Sequence, residues 1–257
     1  MILEKIVEDK KVRLVEHKSR ILPAEMRKLA EQCEAHPASF YEGLAKPGIS
    51  IIGEFKKASP SLGNITSQID LTKRIDKYNA SVDCISCLTE EDHFLGNVDY
   101  LKEIREISPL PILRKDFMID EYQFYEAKAI GANAILLITG ILDDVQLRDF
   151  YQLTTELGLD ALFEAHTEEQ MDRALNCGAK IVGVNNRDLR DFSIKLDTTK
   201  RLSKMVPDDR IFVAESGIVS DEDVKYLNEC CVDAFLIGRA FMESANPQEL
   251  AKHWKAL

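Results

Sequence analysis

The sequence predicts an α/β fold in which eight parallel strands close into a (β/α)8 barrel behind a helical N-terminal extension. Eight short apolar runs alternate with amphipathic, charged segments, which is the pattern of repeated βαβ units. The chain has 257 residues, close to the ~250 that are typical of one such barrel. Most of the runs end in a polar residue or a glycine, as strands do where they leave a core.

One domain is expected over residues 1–257, with the extension at 1–48 and the barrel at 49–257. Apolar residues recur near helical spacing among the charges of the first segment: Ile2, Ile6, Val12 and Val15. Pro47-Gly48 closes the helical part, because proline and glycine together favour a turn.

From Ile51 onwards the pattern of apolar run, loop and charged helix repeats. The predicted strands are Ile51–Phe55, Val82–Leu88, Pro111–Leu113, Ala134–Ile138, Ala161–Phe163, Ile181–Val184, Ile211–Ala214 and Ala234–Ile237. The predicted helices are Ile69–Tyr78, Tyr100–Ile107, Tyr122–Ala129, Val145–Leu157, Glu168–Cys177 and Asp221–Asn228. An open doubly wound sheet is the alternative, but its dinucleotide-binding form carries GxGxxG after the first strand. Residues 56–63 read KKASPSLG, so no dinucleotide site is expected there.

The overall charge narrows the class of ligand. The formal net charge of −11 argues against nonspecific binding of nucleic acid, which requires a basic surface. An acidic protein can still bind an acidic ligand in a locally positive cleft, because a low-dielectric cleft focuses the field of its own charges. The N-terminus is charged, unlike a secretory signal, and the longest apolar stretch, Ala134–Leu142, is far shorter than the ~20 residues of a membrane span. We expect a cytoplasmic protein that binds neither nucleic acid nor membrane.

Cysteine usage predicts neither a metal site nor a disulfide. Cys84 and Cys87 form a CxxC pattern within a predicted strand, where positions three apart face opposite sides. No second CxxC or histidine pair completes a zinc set. The cysteines are expected to be reduced, as in other cytosolic proteins.

Charged residues at the ends of several runs predict an active site at the C-terminal mouth of the barrel. Glu54 and Lys56 lie two apart, so they point the same way from a strand. Lys115 follows the run Pro111–Leu113, and Asp116 is interpreted as its counter-ion or as a helix cap. Burial and neighbouring lysines are expected to lower the pKa of Lys115 and suit it to acid–base or Schiff-base chemistry. The alternatives are an edge salt bridge for the first pair and a solvated side chain for Lys115.

Two further carboxylates end runs in the same way, at Glu164 and Glu215. Two lysines and two carboxylates in one cavity can divide acid and base roles according to their surroundings. His166 is nearby, but we interpret it as a loop residue and leave it out of the site.

Ser216-Gly217 and Gly238-Arg239 follow the seventh and eighth runs. Barrels often bind phosphate with these two loops, through backbone N–H groups and a helix N-terminus. Glycine lets a backbone approach the anion closely, so we expect a side chain at Gly238 to hinder phosphate. The alternative is that these glycines only form turns.

These segments together resemble the indole-3-glycerol-phosphate synthase family of tryptophan biosynthesis. The resemblance spans essentially the whole chain, and its motifs are residues 54–61, 113–117, 162–165, 183–189, 214–218 and 235–239. It implies a TIM barrel and a carboxy-lyase that uses no cofactor. The implied substrate is 1-(2-carboxyphenylamino)-1-deoxyribulose 5-phosphate, an anionic sugar phosphate, which cyclises and loses carbon dioxide and water to give indole-3-glycerol phosphate.

The resemblance also implies residue roles. Lys115 is the principal general acid, and Lys56 pairs with the substrate carboxylate and donates a proton in the dehydration. Glu164 and Glu54 are candidate bases, and which of them takes which proton stays open. Further roles are holding the sugar hydroxyls (Asn185, Glu215), binding the substrate or its phosphate (Ser59, Ser216, Gly217, Leu236, Gly238, Arg239) and forming an apolar wall (Phe94, Phe117, Leu136). Arg187 is a substrate-binding residue that orders the mouth.

Three other functions fit a barrel with a phosphate site, because the fold does not fix the reaction. A phosphoribosylanthranilate isomerase relies on a cysteine and an aspartate, whereas the first strand here ends in glutamate and lysine. A Schiff-base aldolase would form a covalent lysine adduct. A catalytically inactive binding protein tends to lose its charged cluster, which this chain keeps. We expect a monomer or a weak homo-oligomer.

Overall fold

The barrel in the computed structural model is closed and parallel. The structure describes residues 2–34, 36–56, 58–59, 63–64, 70–188 and 190–257. The strands are β1 Ser50–Phe55, β2 Cys84–Leu88, β3 Ile112–Lys115, β4 Ala134–Ile138, β5 Asp160–Ala165, β6 Ile181–Asn185, β7 Ile211–Glu215 and β8 Ala234–Ile237. Each pairs with its neighbours in the chain, and β1 also pairs with β8. All eight predicted runs form strands, so the predicted barrel is confirmed.

The helices lie largely where the sequence pattern places them. They are α1 Ile2–Arg20, α2 Pro23–Gln32, α3 Phe40–Leu44, α4 Leu71–Asn79, α5 Val98–Ile107, α6 Glu121–Ala129, α7 Asp144–Glu156, α8 Glu168–Asn176, α9 Asp197–Leu202, α10 Asp221–Asn228, α11 Arg239–Glu243 and α12 Pro247–Trp254. The apolar pattern did not predict α9, α11 or α12. The predicted start of α4, Ile69, lies outside the described residues. Helices α6, α7 and α10 begin with capping boxes whose N-cap residues are Asp120, Asp143 and Ser220. Each N-cap side chain accepts a hydrogen bond from a backbone N–H of the first turn that has no partner within the helix.

The N-terminal extension wraps the barrel from its mouth to its base. The ammonium of Lys10 in α1 lies 2.8 Å from the carboxylate of Asp116, just beyond β3. Helix α2 then packs along α6 on the outside of the barrel. At the opposite end, the Tyr41 N–H of α3 donates to Asp160 at the start of β5, over 2.9 Å. The extension therefore contributes to both ends of the barrel.

The buried face of α1 differs from the apolar pattern in the sequence. Ile6, Lys10 and Leu14 are buried, whereas Val12 and Val15 are 72% and 70% exposed. The buried positions are four apart, which is the spacing of one helix face. A lysine takes the middle position because it finds a carboxylate partner inside the protein.

Alternation along the strands places a charged layer above an apolar one. Aliphatic side chains from β1, β3, β5 and β7 pack in one cluster inside the barrel: Ile52, Leu113, Leu162 and Val213. Since alternate residues share a face, the residues two positions further along also point inward: Glu54, Lys115, Glu164 and Glu215. Four alternate strands thus supply one layer of ionisable groups at the mouth, as side-chain layers in such barrels are built.

Candidate active site

A cavity at the C-terminal mouth brings most of the predicted site residues together. The predicted residues that line it are Glu54, Lys56, Phe94, Lys115, Phe117, Leu136, Glu164, Asn185, Arg187, Ser216, Gly217, Leu236, Gly238 and Arg239. Glu215 lies outside this lining because it is completely buried beneath Lys115. For Ser59, the structure describes only the backbone, in a short strand paired with Gly63–Asn64.

Lys115 is held between two carboxylates at the floor of the cavity. Its Nζ lies 2.5 Å from Glu215 Oε2 and 3.7 Å from Glu164 Oε2. Burial alone would lower the pKa of Lys115, but the charges of Glu215 and Glu164 outweigh it and raise the pKa above its usual range. The expectation of a lowered pKa was wrong, because the nearest charges are carboxylates rather than lysines. Lys115 is therefore an ammonium ion with a proton to donate at neutral pH.

Asp116 does not serve as the counter-ion of Lys115, nor does it cap α6, whose N-cap is Asp120. Its carboxylate pairs with Lys10 at 2.8 Å and accepts a hydrogen bond from the Thr89 hydroxyl, also at 2.8 Å. Burial opposes ionisation, but the charges of Lys10 and Arg114 lower the pKa of Asp116 overall. The residue after Lys115 is thus anchored to the extension.

A second ion pair stands on β1. Lys56 Nζ lies 2.5 Å from Glu54 Oε1, with the lysine side chain 17% exposed and the glutamate 5%. Burial opposes ionisation of Glu54, but the charges of Lys56 and Lys115 lower the pKa below its ordinary value. The cavity therefore contains two ammonium groups, each beside at least one carboxylate.

The two buried glutamates near Lys115 differ in ionisation. Glu164 accepts hydrogen bonds from His166 Nε2 at 3.1 Å and from Asn185 Nδ2 at 3.2 Å. These bonds and the charge of Lys115 overcome burial and lower the pKa of Glu164. Burial and repulsion by Glu164 raise the pKa of Glu215 to about 7, against the opposing charge of Lys115. The carboxylate that faces the cavity is therefore the better ionised of the two.

A glycine makes room for Glu215. A Cβ atom added at Gly183 would lie 2.5 Å from Glu215 Oε1, closer than carbon and oxygen atoms pack. Within the described part of the chain, this oxygen has no hydrogen-bond partner. Burying an unsatisfied oxygen is costly, and Glu215 carries this cost beneath Lys115.

The apolar wall combines predicted and unpredicted residues. The rings of Phe94 and Phe117 lie 6.1 Å apart, centroid to centroid. Backbone N–H groups of His93 and Phe94 donate to the Glu90 carboxylate over 2.7 and 3.0 Å, which fixes the turn that presents Phe94. The other apolar lining residues were not predicted from the sequence: Leu88, Ile138, Phe192, Ile194, Ile218, Val219 and Ile237. Several of these come from loops, whose apolar residues follow no periodic pattern.

The two predicted phosphate turns lie at the edge of the same cavity. Ser216 and Gly217 have φ values of +65° and +82°, so the chain turns sharply directly after β7. A Cβ at Gly217 would lie 2.5 Å from Ile194, and the loop after β6 therefore packs tightly on this turn. Arg187 in that loop donates from its guanidinium to the Phe192 carbonyl over 3.2 Å.

The remaining sequence motifs lie outside the site. Cys84 and Cys87 are both buried, and burial raises the pKa of each thiol, so neither is an activated nucleophile. In the described ranges, no group of three or more histidine, cysteine or acidic side chains has the geometry of a metal site. None of the described helices is long and apolar enough to cross a bilayer.

A (β/α)8 barrel with ammonium–carboxylate pairs around an apolar cavity defines a barrel enzyme equipped for proton transfer on an anionic aromatic substrate. The family model for indole-3-glycerol phosphate synthase matches residues 3–254. The chain belongs to the indole-3-glycerol phosphate synthase family.

Relatives named indole-3-glycerol phosphate synthase match over nearly their full length. The protein from Lachnospira eligens is 53% identical over 260 residues, covering 99% of this chain and 97% of the relative. The protein from Clostridium acetobutylicum is 48% identical, covering 95% and 93%, and that from Acetivibrio thermocellus is 46% identical, covering 100% of each.

Solved structures support the fold. The 3-hexulose-6-phosphate synthase of Salmonella typhimurium superposes with a TM-score of 0.66 at 17% identity, over 81% of this chain and 97% of that one. The orotidine 5'-phosphate decarboxylase of Pyrococcus horikoshii does so with a TM-score of 0.59 at 14% identity, over 80% and 97%. At these identities the likeness concerns the barrel alone.

Proposed function

We propose that this chain is an indole-3-glycerol phosphate synthase. It converts 1-(2-carboxyphenylamino)-1-deoxyribulose 5-phosphate into indole-3-glycerol phosphate, carbon dioxide and water. The observation that carries the proposal is Lys115, an ammonium ion held 2.5 Å from Glu215 and 3.7 Å from Glu164 at the floor of a cavity with an aromatic wall. The reaction requires such a proton donor beside a carbonyl oxygen and an aromatic ring.

Ring closure is the first step of the proposed mechanism. Lys115 donates a proton to the ribulose carbonyl oxygen while the ring carbon that carries the carboxylate attacks the carbonyl carbon. Negative charge develops on this oxygen in the transition state, and donation of a proton to it there stabilises that state. The aromatic ring lies against Phe94, Phe117 and Leu136, which exclude water from the forming bond. Loss of carbon dioxide then restores the aromaticity of the ring.

Dehydration completes the indole. The new hydroxyl group leaves with a proton from Lys56, and a carboxylate removes a proton from the neighbouring carbon, so that one water is lost. Glu164 and Glu54 both have a lowered pKa and are therefore ionised bases at neutral pH. Glu164 is the better candidate, because Glu54 is already paired with Lys56 at 2.5 Å.

The non-reacting groups bind the sugar phosphate. Asn185 and Glu215 hold sugar hydroxyls, while Ser59, Ser216, Gly217, Gly238 and Arg239 bind the phosphate and Arg187 orders the mouth. Positive charge from Lys56, Lys115 and Arg187 draws an anionic substrate to an otherwise acidic protein. No metal or organic cofactor takes part, the protein is cytoplasmic, and it is a monomer or a weak homo-oligomer.

The test is turnover of the named substrate. We expect indole fluorescence to rise with one carbon dioxide released for each product molecule. Release of carbon dioxide separates this activity from that of phosphoribosylanthranilate isomerase, and resistance to borohydride trapping separates it from that of a Schiff-base aldolase. Binding of the substrate without either product would overturn the proposal in favour of an inactive binding protein.

A further inference from the structure

A second cavity adjoins the substrate cavity, and the two share a wall. It has a volume of about 360 Å³, room for several waters, since one water needs roughly 30 Å³. Ile138 and Asn185 line both cavities, whereas Glu164 lines the first and His166 the second. The Glu164–His166 contact therefore crosses the partition between a substrate cavity and a polar side cavity.

The two oxygens of Glu164 have different partners. Oε1 lies 3.1 Å from His166 Nε2. Oε2 accepts the hydrogen bond from Asn185 at 3.2 Å and lies 3.7 Å from Lys115 Nζ. Because Lys115 lines the substrate cavity and not the side cavity, Oε2 is the oxygen on the substrate side. The imidazole occupies the other oxygen and fixes the plane of the carboxylate.

The backbone of His166 is itself held in place. Its backbone N–H donates to Gln170 Oε1 over 2.8 Å, and its carbonyl accepts from Arg201 over 3.3 Å. The charged groups that face the pair are Lys115 and Glu215 on the substrate side and, around the side cavity, Asp188, Arg190, Lys195 and Arg201. Burial would lower the pKa of His166, but Glu164, Glu215 and Asp188 raise it overall.

We propose that His166 is a positioning residue for the candidate base Glu164, holding Oε1 from the side cavity so that Oε2 faces the substrate. The interpretation of His166 as a plain loop residue is thereby replaced. The inference rests on the proposed function, because it assigns a partner to the base of that reaction. The side cavity keeps the imidazole in contact with water while substrate fills the main cavity.

The experiment compares His166→Ala, His166→Gln and His253→Ala with the wild type. His253 is the matched control, because its Nε2 also contacts a carboxylate, that of Asp221 at 2.8 Å, on the exposed surface. For each variant, kcat, KM, the single-turnover rate and the pH profile of kcat/KM are measured, with and without added imidazole. Melting temperatures verify that each variant is folded.

For His166→Ala we expect kcat to fall about tenfold or more, since a proton-transfer group contributes ~10²–10⁴-fold, with KM little changed. Without its imidazole partner, Glu164 loses a group that lowers its pKa, so the acid limb of the profile should move to higher pH. His166→Gln, which keeps an N–H donor, should recover part of the rate. Imidazole entering the side cavity should restore the rate of His166→Ala without competing with substrate.

Each of the following outcomes would reject part or all of the proposed role of His166. An unchanged rate and acid limb in a folded His166→Ala variant would reject the positioning role while the proposed function stands. Rescue that competes with substrate would show that imidazole enters by the main cavity and would overturn the role of the side cavity. An equal fall of kcat in His253→Ala would show that loss of a histidine–carboxylate contact destabilises the protein generally, and it would reject a specific role for His166. A wild type without turnover would instead reject the proposed function, and this inference with it.

Discussion

Gly238→Ala adds a single methyl group and should still reduce kcat strongly. Its φ of −106° is accessible to any residue, so backbone strain does not require glycine there. The lack of space requires glycine at this position, because a Cβ atom would clash with Glu54 Oε1 and lie 2.7 Å from Lys56 Nζ and 3.1 Å from Lys56 Cε. Non-bonded heavy atoms sit about 3.5–4.0 Å apart, so Gly238→Ala must displace the pair by roughly 1 Å.

The displacement should fall mainly on Lys56. Glu54 is 3% exposed and cannot leave the barrel, whereas the lysine side chain is 17% exposed and can swing towards solvent. A misplacement of about 1 Å can cost ~10²-fold in rate, which corresponds to about 2.7 kcal/mol of transition-state stabilisation. We therefore expect kcat to fall about 100-fold, in addition to the rise in KM that hindered phosphate binding predicts.

Steady-state kinetics by indole fluorescence measures both effects. Gly178→Ala is the matched control. Its φ is +88°, and apart from the neighbouring residues in the chain no atom lies within 4 Å of the added Cβ, so it costs about 1–2 kcal/mol of backbone strain far from the chemistry. The control should melt earlier and keep its kcat. If Gly238→Ala raises KM while kcat stays within about twofold of the wild type, well short of the ~10²-fold cost of misplacement, the Glu54–Lys56 pair takes no part in the chemistry.

Three other substitutions test the site and its supports. Lys115→Ala should abolish turnover while substrate still binds, because general acid catalysis contributes ~10²–10⁴-fold; a kcat within about tenfold of the wild type would remove Lys115 from the mechanism. Glu164→Gln should lower kcat far more than it raises KM, and a change in KM alone would assign the base to Glu54. Lys10→Met should reduce the free energy of unfolding, measured in urea at pH 7, by about 3–5 kcal/mol, because it leaves the buried Asp116 carboxylate unpaired. Its neighbour Lys11, in an exposed pair with Glu8, is the control at about 0–1 kcal/mol. The pKa of Asp116 is lowered in the folded protein, so this loss should shrink as the pH falls through that lowered value, and a pH-independent loss would contradict the ion pair.

The sequence predicts the barrel well because its signals are local. Each strand is a short apolar run, and its last residues carry the polar groups of the mouth, so the period-2 alternation alone places Glu54, Lys115 and Glu164 on one inward face. Helix ends shift by a residue or two, since fraying and capping depend on contacts outside the helix. The predicted ionisable residues of the barrel strands therefore follow from their position, whereas Phe94, Phe117 and Arg187 lie outside the strands and were predicted only through the family resemblance.

What the sequence does not predict is which charges become partners. Asp116 follows Lys115 in the chain but pairs with Lys10, which is 106 residues away in the sequence. The pKa of Lys115 is raised rather than lowered, because β5 and β7 bring carboxylates to it. His166 is two residues from Glu164 and still carries no local signal of their contact. Each of these outcomes depends on tertiary packing.

The charged layer has a steric requirement that composition alone does not show. The ionisable groups come from alternate strands, and the strands between them supply glycines where those groups need space. Gly183 on β6 leaves room for the carboxylate of Glu215, and Gly238 after β8 leaves room for the Glu54–Lys56 pair. A Cβ at either position would separate a buried carboxylate from its ammonium partner, and a buried carboxylate without a partner is costly. The layer of ionisable groups therefore depends on glycines at Gly183 and Gly238. Gly238, which the sequence predicts as a phosphate contact, also leaves the space that the Glu54–Lys56 ion pair occupies.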